Sequence, residues 1–117
     1  MAINKDSAQM AVKVVDSGQN ELRAVATGVV KAADAQVKAG AGAVYGIIVA
    51  FDGATAGDKI ELIDSLTASG TSQCTIITQA ADAVYTFTPP VGISFSTGIY
   101  YNVTLSGGAA TATIVYS

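Results

Sequence analysis

Histidine and tryptophan are absent from the 117 residues, and there is a single cysteine, Cys74. Without histidine the commonest general base and the commonest metal ligand are missing. Ser-His-Asp and Cys-His arrangements are therefore excluded. One cysteine cannot form an intrachain disulfide, which fits folding in a reducing cytoplasm or a buried thiol acting as a small hydrophobe. Cys74 sits mid-strand with no basic residue near it in sequence, so nothing local would activate it. Charge is scarce too. Asp, Glu, Lys and Arg make up 13% of the chain, about half the usual share of a soluble domain. All six basic residues lie at or before Lys59, whereas residues 60–117 carry only Glu61, Asp64 and Asp82. No basic track for phosphates exists, so a nucleic-acid partner is not expected. The start, "MAINKDSAQMAV", has no continuous apolar stretch, so no secretory signal is expected. The longest apolar run, "AGAVYGIIVAF", is about half of a membrane span and reads as a buried strand, so no membrane partner is expected either.

What is present is a rhythm of short strands. The length suits one domain with a core that needs no disulfide or metal. From about Ala24 the segments "AVATGVVKA", "AQVKAGAGAVYGIIVAFDG", "KIELIDS", "QCTIITQ", "VYTFT", "VGISF", "IYYNVTLSG" and "TATIVYS" follow one another at roughly ten-residue spacing, with turn residues between them. Pro89-Pro90 ends the fifth segment, because neither residue can donate to a ladder. No helical period of any length appears. The expected fold is all-β, an antiparallel sandwich or barrel of about seven or eight strands. In "AVYGIIVAF" both strand faces are apolar, so this strand is expected to be central and covered on both sides, with Gly46 leaving room for a close neighbour. The expected core is Tyr45, Ile47, Val49, Phe51, Ile60, Leu62, Ile76, Phe87, Ile99, Tyr101, Val103 and Ile114.

Residues 1–23 read differently. Met10, Val12 and Val14 alternate and then meet the turn cluster Asp16-Ser17-Gly18-Gln19-Asn20. This segment is expected to be an arm or an edge strand, and residues 24–117 the sandwich domain.

The remaining chemistry is carboxylate. Glu61 with Asp64, or Asp52 with Asp58, could form a pair, but a glycosidase pair normally sits in a cleft with aromatic platforms. The spacing of Asp52, Asp58 and Asp64 matches no calcium loop, and these acids read as a solvated turn or strand edge. Tyr100 is the best candidate for an exposed aromatic contact, because its neighbour Tyr101 takes the inward direction. Asn102–Thr104 spells a glycosylation sequon on a strand. The glycine-rich stretches open no helix, so they are not phosphate loops. No catalytic residue, cofactor or metal ligand is assigned.

The order "AVYGIIVAFDG", "DKIELIDS", "PPVGISFSTGIYYNVTLSG", "ATATIVYS" resembles small virion proteins of tailed bacteriophages, in particular capsid decoration or cement proteins. The resemblance covers roughly residues 42–117 and includes no catalytic motif, so it transfers no functional residue. It implies a jelly-roll-like sandwich without enzymatic activity. The implied location is the capsid surface of a virion, after folding in the host bacterial cytoplasm. The implied partners are the major capsid protein or another virion protein, together with copies of itself, for example in a trimer. The alternative is a head-binding or receptor- or carbohydrate-binding β-sandwich module of a tail fibre or spike.

Overall fold

The computed structural model describes residues 26–117. The readings placed on residues 1–23, including the alternation of Met10, Val12 and Val14, lie outside the described residues. Nine strands follow in order: β1 (Thr27–Lys31), β2 (Ala35–Ala39), β3 (Gly42–Asp52), β4 (Lys59–Asp64), β5 (Thr71–Ile77), β6 (Ala83–Phe87), β7 (Ile93–Phe95), β8 (Gly98–Thr104) and β9 (Ala109–Tyr116). All pairings are antiparallel. The fold is a β-sandwich of two sheets, as expected, with one strand more than expected. The extra strand comes from "AQVKAGAGAVYGIIVAFDG", which reads as one run but breaks at Gly40. With φ at 98°, Gly40 takes a left-handed turn that a side chain would resist. Ala35–Ala39 then pairs in one sheet and Gly42–Asp52 in the other.

The first sheet has the order β1-β9-β3-β6, with β7 paired to the beginning of β3. The second has the order β2-β8-β4-β5. Leaving β7 aside, the first strand pairs with the last, the second with the second-last, the third with the third-last, and the middle two with each other. This is a long double ribbon. Rolling it brings β9 against β3 and β8 against β4, which is the jelly-roll arrangement of two Greek keys. The final strand is therefore central to its sheet. Its Ile114 is fully buried, and Ser117 exchanges backbone hydrogen bonds with Ala43 (2.9 and 3.2 Å).

The core lies between the sheets. Ile47, Val49, Phe51 and Ile114 from the first sheet meet Ile60, Leu62, Ile99 and Tyr101 from the second. Phe51 meets Tyr85 edge-on, with ring centroids 5.9 Å apart. Ile76, Cys74 and Val103 pack against this cluster while only partly buried. Alanine contributes as well. Ala110 and Ala112 alternate inward on β9, opposite exposed Thr111 and Thr113. Close approach at the turn ends is set by Gly108, where φ is 71° and a β-carbon would collide with the Asp52 and Gly53 carbonyls.

Three core expectations are corrected. β3 is not covered on both sides: Ile48 is 48% exposed and Ala50 is exposed. A two-layer sandwich buries one face of each sheet, so an apolar second face stays outside. Tyr45 is not a core residue. A register slip opposite Val115 and Tyr116 makes Tyr45 the extra residue of a bulge and turns Val44 inward. Phe87, at the end of an edge strand just before Pro89-Pro90, is 41% exposed.

Candidate functional site

Asp58 and Asp64 are structural in their contacts, which corrects the reading of them as solvated, whereas Asp52 is exposed. Asp58 is 5% exposed. Its carboxylate accepts from the Thr55 amide (2.9 Å) and the Ser106 amide (3.0 Å) and so joins two turns at one end of the sandwich. The Thr55 amide is the main cause that holds its pKa below the ordinary value. Asp64 stands at the other end of β4. It accepts from the Ser96 amide and hydroxyl (3.0 and 2.9 Å), the Thr97 amide (2.8 Å) and the Gly98 amide (3.4 Å). These bonds, led by the Ser96 amide, bring its pKa down from 3.8 to about 2. The Ser96–Thr97 corner carries the chain from β7 in the first sheet to β8 in the second, so Asp64 locks a crossover between layers. Asp34 accepts from the Val103 amide (2.7 Å) and Asp82 from the Gly53 amide (2.9 Å).

The proposed carboxylate pairs do not converge on one point. Asp58 and Asp64 occupy opposite ends of β4. Glu61 faces outward between them and accepts from Asn102 Nδ2 (3.3 Å). Asp52 is exposed at the end of β3, in register with Ala109. Among the described residues no three His, Cys, Asp or Glu side chains cluster as metal ligands. Cys74 is half-buried on β5, and burial raises its thiol pKa. No helix among the described residues is long and apolar enough to cross a membrane.

The outer face of the first sheet is the feature that sequence reading missed. Cross-strand register places its outward residues in four rows: Gly28, Val115 and Gly46; then Val30, Thr113, Ile48 and Thr86; then Thr111, Ala50 and Val84; and last Ala109 with Asp52 at the end of β3. The first three rows carry no charge, and Asp52 marks the charged end of the face. Val84 is 68% exposed and Val30 61%. A groove of about 230 Å³ runs across the first two rows, bounded by Tyr45, Ile48, Thr86, Thr113 and Val115 with Gly46 at its floor. The Tyr45 hydroxyl meets Ser117 Oγ at 3.0 Å at its edge. The available signal was the apolar outer half of β3, which looked like core.

The second sheet presents a different outer face. Tyr100 is half-buried there, flanked in register by Gln36 and Ile63. Glu61 lies between Asn102 and Thr75, and Lys59 stands 4.0 Å from Glu61. Ile63 is buried on this side; a β-carbon on Gly70 of the following loop would stand 3.1 Å from its Cγ2.

No protein family, no curated protein and no solved structure matches this chain.

Proposed function

We propose that this chain is a non-enzymatic structural subunit of a bacteriophage virion, most specifically a capsid decoration subunit that stabilises the head lattice. The observation that carries the reading is the three uncharged rows on the outer face of the first sheet. A contiguous exposed patch of Val, Ile, Thr and Gly without charge suits a permanent protein contact. The phage placement comes from the resemblance of residues 42–117 to virion proteins. The partners under this reading are the major capsid protein and copies of the chain itself. Many modest contacts on a lattice add through multivalency, and roughly 1,200–2,000 Å² per contact is sufficient. Because these three rows lack charge, binding through them should survive raised salt better than a salt-bridged interface.

The test is to strip the subunit from particles and heat both forms. Particles without it should release their genome at a lower temperature, and the subunit should be present in hundreds of copies. Equal heat stability with failed attachment to cells would replace this reading by the receptor-binding one. That second reading is favoured by one observation, Tyr100 beside Asn102 and Gln36 on the second sheet, an aromatic ring among amide side chains.

A further inference from the structure

The groove on the first sheet has an unusual floor. Gly46 lies mid-strand, yet a β-carbon there would meet only Phe87 O at 3.7 Å and Thr88 Oγ1 at 3.9 Å, which is ordinary contact. The internal packing of the sandwich does not require glycine at this position. Its effect is to open the groove between Tyr45, Ile48, Thr86, Thr113 and Val115. The occupant must be narrow and apolar, since no lining residue is charged.

The described chain begins beside this groove. Gly28 on β1 is the register partner of Val115, and Val115 is the partner of Gly46. The 25 residues before Ala26 are therefore tethered two strand spacings, roughly 10 Å, from the groove. They contain Met10, Val12 and Val14 in alternation, a pattern that offers one uncharged apolar edge. Twelve residues separate Val14 from Thr27 and reach up to roughly 40 Å when extended. That is several times the distance to the chain's own groove. It is comparable to the roughly 30 Å width of a domain of this size. The segment can therefore span to the groove of a neighbouring copy, and the experiment below separates that seat from the chain's own groove.

We propose that the Met10–Val14 segment of one copy seats in the Gly46 groove of an adjacent copy, so that subunits are joined by exchanged arms. The proposal rests on the assembly reading and gives it a contact: one apolar edge across Ile48 and Val115, with the Thr86 and Thr113 hydroxyls at the walls.

The experiment uses purified full-length chains with Cys74→Ser. One carries Val12→Cys, the other Ile48→Cys, and the two are refolded together and oxidised. A disulfide forms only when the two Cα atoms approach within about 7 Å, and in this mixture any 12–48 linkage must join different chains. The expected result is a 12–48 peptide in the mass spectrum of the mixture. Adding Gly46→Leu to the Ile48→Cys chain should reduce its yield roughly tenfold, the loss expected from a blocked groove, without shifting the unfolding midpoint. A third chain carries both substitutions; a 12–48 linkage found only within that chain would overturn the exchange, as would its absence from both preparations. The measurement needs no particle. A linked chain that proves absent from virions would therefore leave the arm contact standing while removing the decoration role.

Discussion

On the first sheet, ten outward residues in three rows carry no charge and leave Val30, Ile48 and Val84 in contact with solvent. On the second, the outward positions include Lys59, Glu61, Asn102, Tyr100 and Gln36, joined by the Asn102–Glu61 hydrogen bond. Each side is built on four strands in nested antiparallel order, with β7 added to the first sheet. The strand pattern therefore does not set the difference; the choice of side chain at the outward half of each alternation does. A face kept polar is satisfied by water. A face built largely from Val, Ile, Ala and Gly has less such compensation and, under the proposed function, is the surface for another protein. Asp58 and Asp64 hold a turn and a crossover away from that face, and Asp52 stands only at its end.

The comparison concerns outer faces alone, so the inner faces should respond alike. Ile47→Ala in the first sheet and Leu62→Ala in the second remove fully buried side chains. Each should cost about 2–4 kcal/mol in denaturant unfolding. Val103→Ala, at an only partly buried position, should cost less. A loss under about half a kcal/mol at Ile47 would mean that the inner and outer faces of β3 are reversed.

A charge placed on the two outer faces should separate them. Thr113→Lys in the middle row of the first sheet should change monomer stability by no more than about 0.5 kcal/mol. It should weaken association with the particle on the order of a hundredfold, because an unpaired charge enters an apolar contact. Thr75→Lys on the second sheet should leave association unchanged. Equal losses at both positions, read by sedimentation with capsids, would remove the distinction between the faces.

Much of this architecture was legible in the chain and some of it was not. Alternation in "TATIVYS" and "KIELIDS" marked the inward residues Ile114, Ile60 and Leu62, because a large β-branched or aliphatic side chain between polar ones has one sensible side. Alanine carries no such signal, so buried Ala110 and Ala112 passed unnoticed. The break at Gly40 was hidden because "KAGAGA" holds no Pro, Asn or Asp to mark a turn and runs on into an apolar strand. The bulge at Tyr45 depends on a register with Tyr116 more than seventy residues away. The grip of Asp64 on Ser96–Gly98 spans over thirty residues and has no local mark. The uncharged outer face was visible as composition but was assigned to core, since a run apolar on both sides looks the same whether its second face meets another layer or a partner.

Acid should act on the crossovers rather than on the uncharged face. Asp64 has a folded pKa of about 2 against an ordinary 3.8. Its contribution is complete above the ordinary value and is lost as pH falls towards about 2, because protonation then favours the unfolded chain. Asp58 is shifted in the same direction by the Thr55 and Ser106 amides. Unfolding midpoints measured from pH 6 to pH 2 should fall for the natural chain. Asp64→Asn should be less stable at pH 6 and lose less on acidification. Parallel curves for the two chains would show that the corner at Ser96–Thr97 does not depend on the carboxylate.

The smallest expected effect comes from the centre of the core, where the sheets should be chemically alike but one polar atom intrudes. Tyr101 is 0% exposed, and its hydroxyl has no hydrogen-bond partner among the described residues. Burial, with the Asp34 carboxylate adding to it, raises its pKa to about 12. An unpartnered buried hydroxyl is a cost to folding, so removing it leaves the packing of the ring and relieves that cost. Tyr101→Phe should therefore be neutral or stabilising by up to about 1 kcal/mol at pH 7. The sign at high pH follows from the same shift. The folded state holds the proton to about 12 while the unfolded chain releases it near 10, so the natural chain loses stability as pH rises between those values. Tyr101→Phe lacks that loss, and its advantage should widen from pH 9 to pH 11. A destabilised Tyr101→Phe with no widening would mean that the hydroxyl is satisfied in solution and that the core, like the second sheet's outer face, depends on its polar atoms.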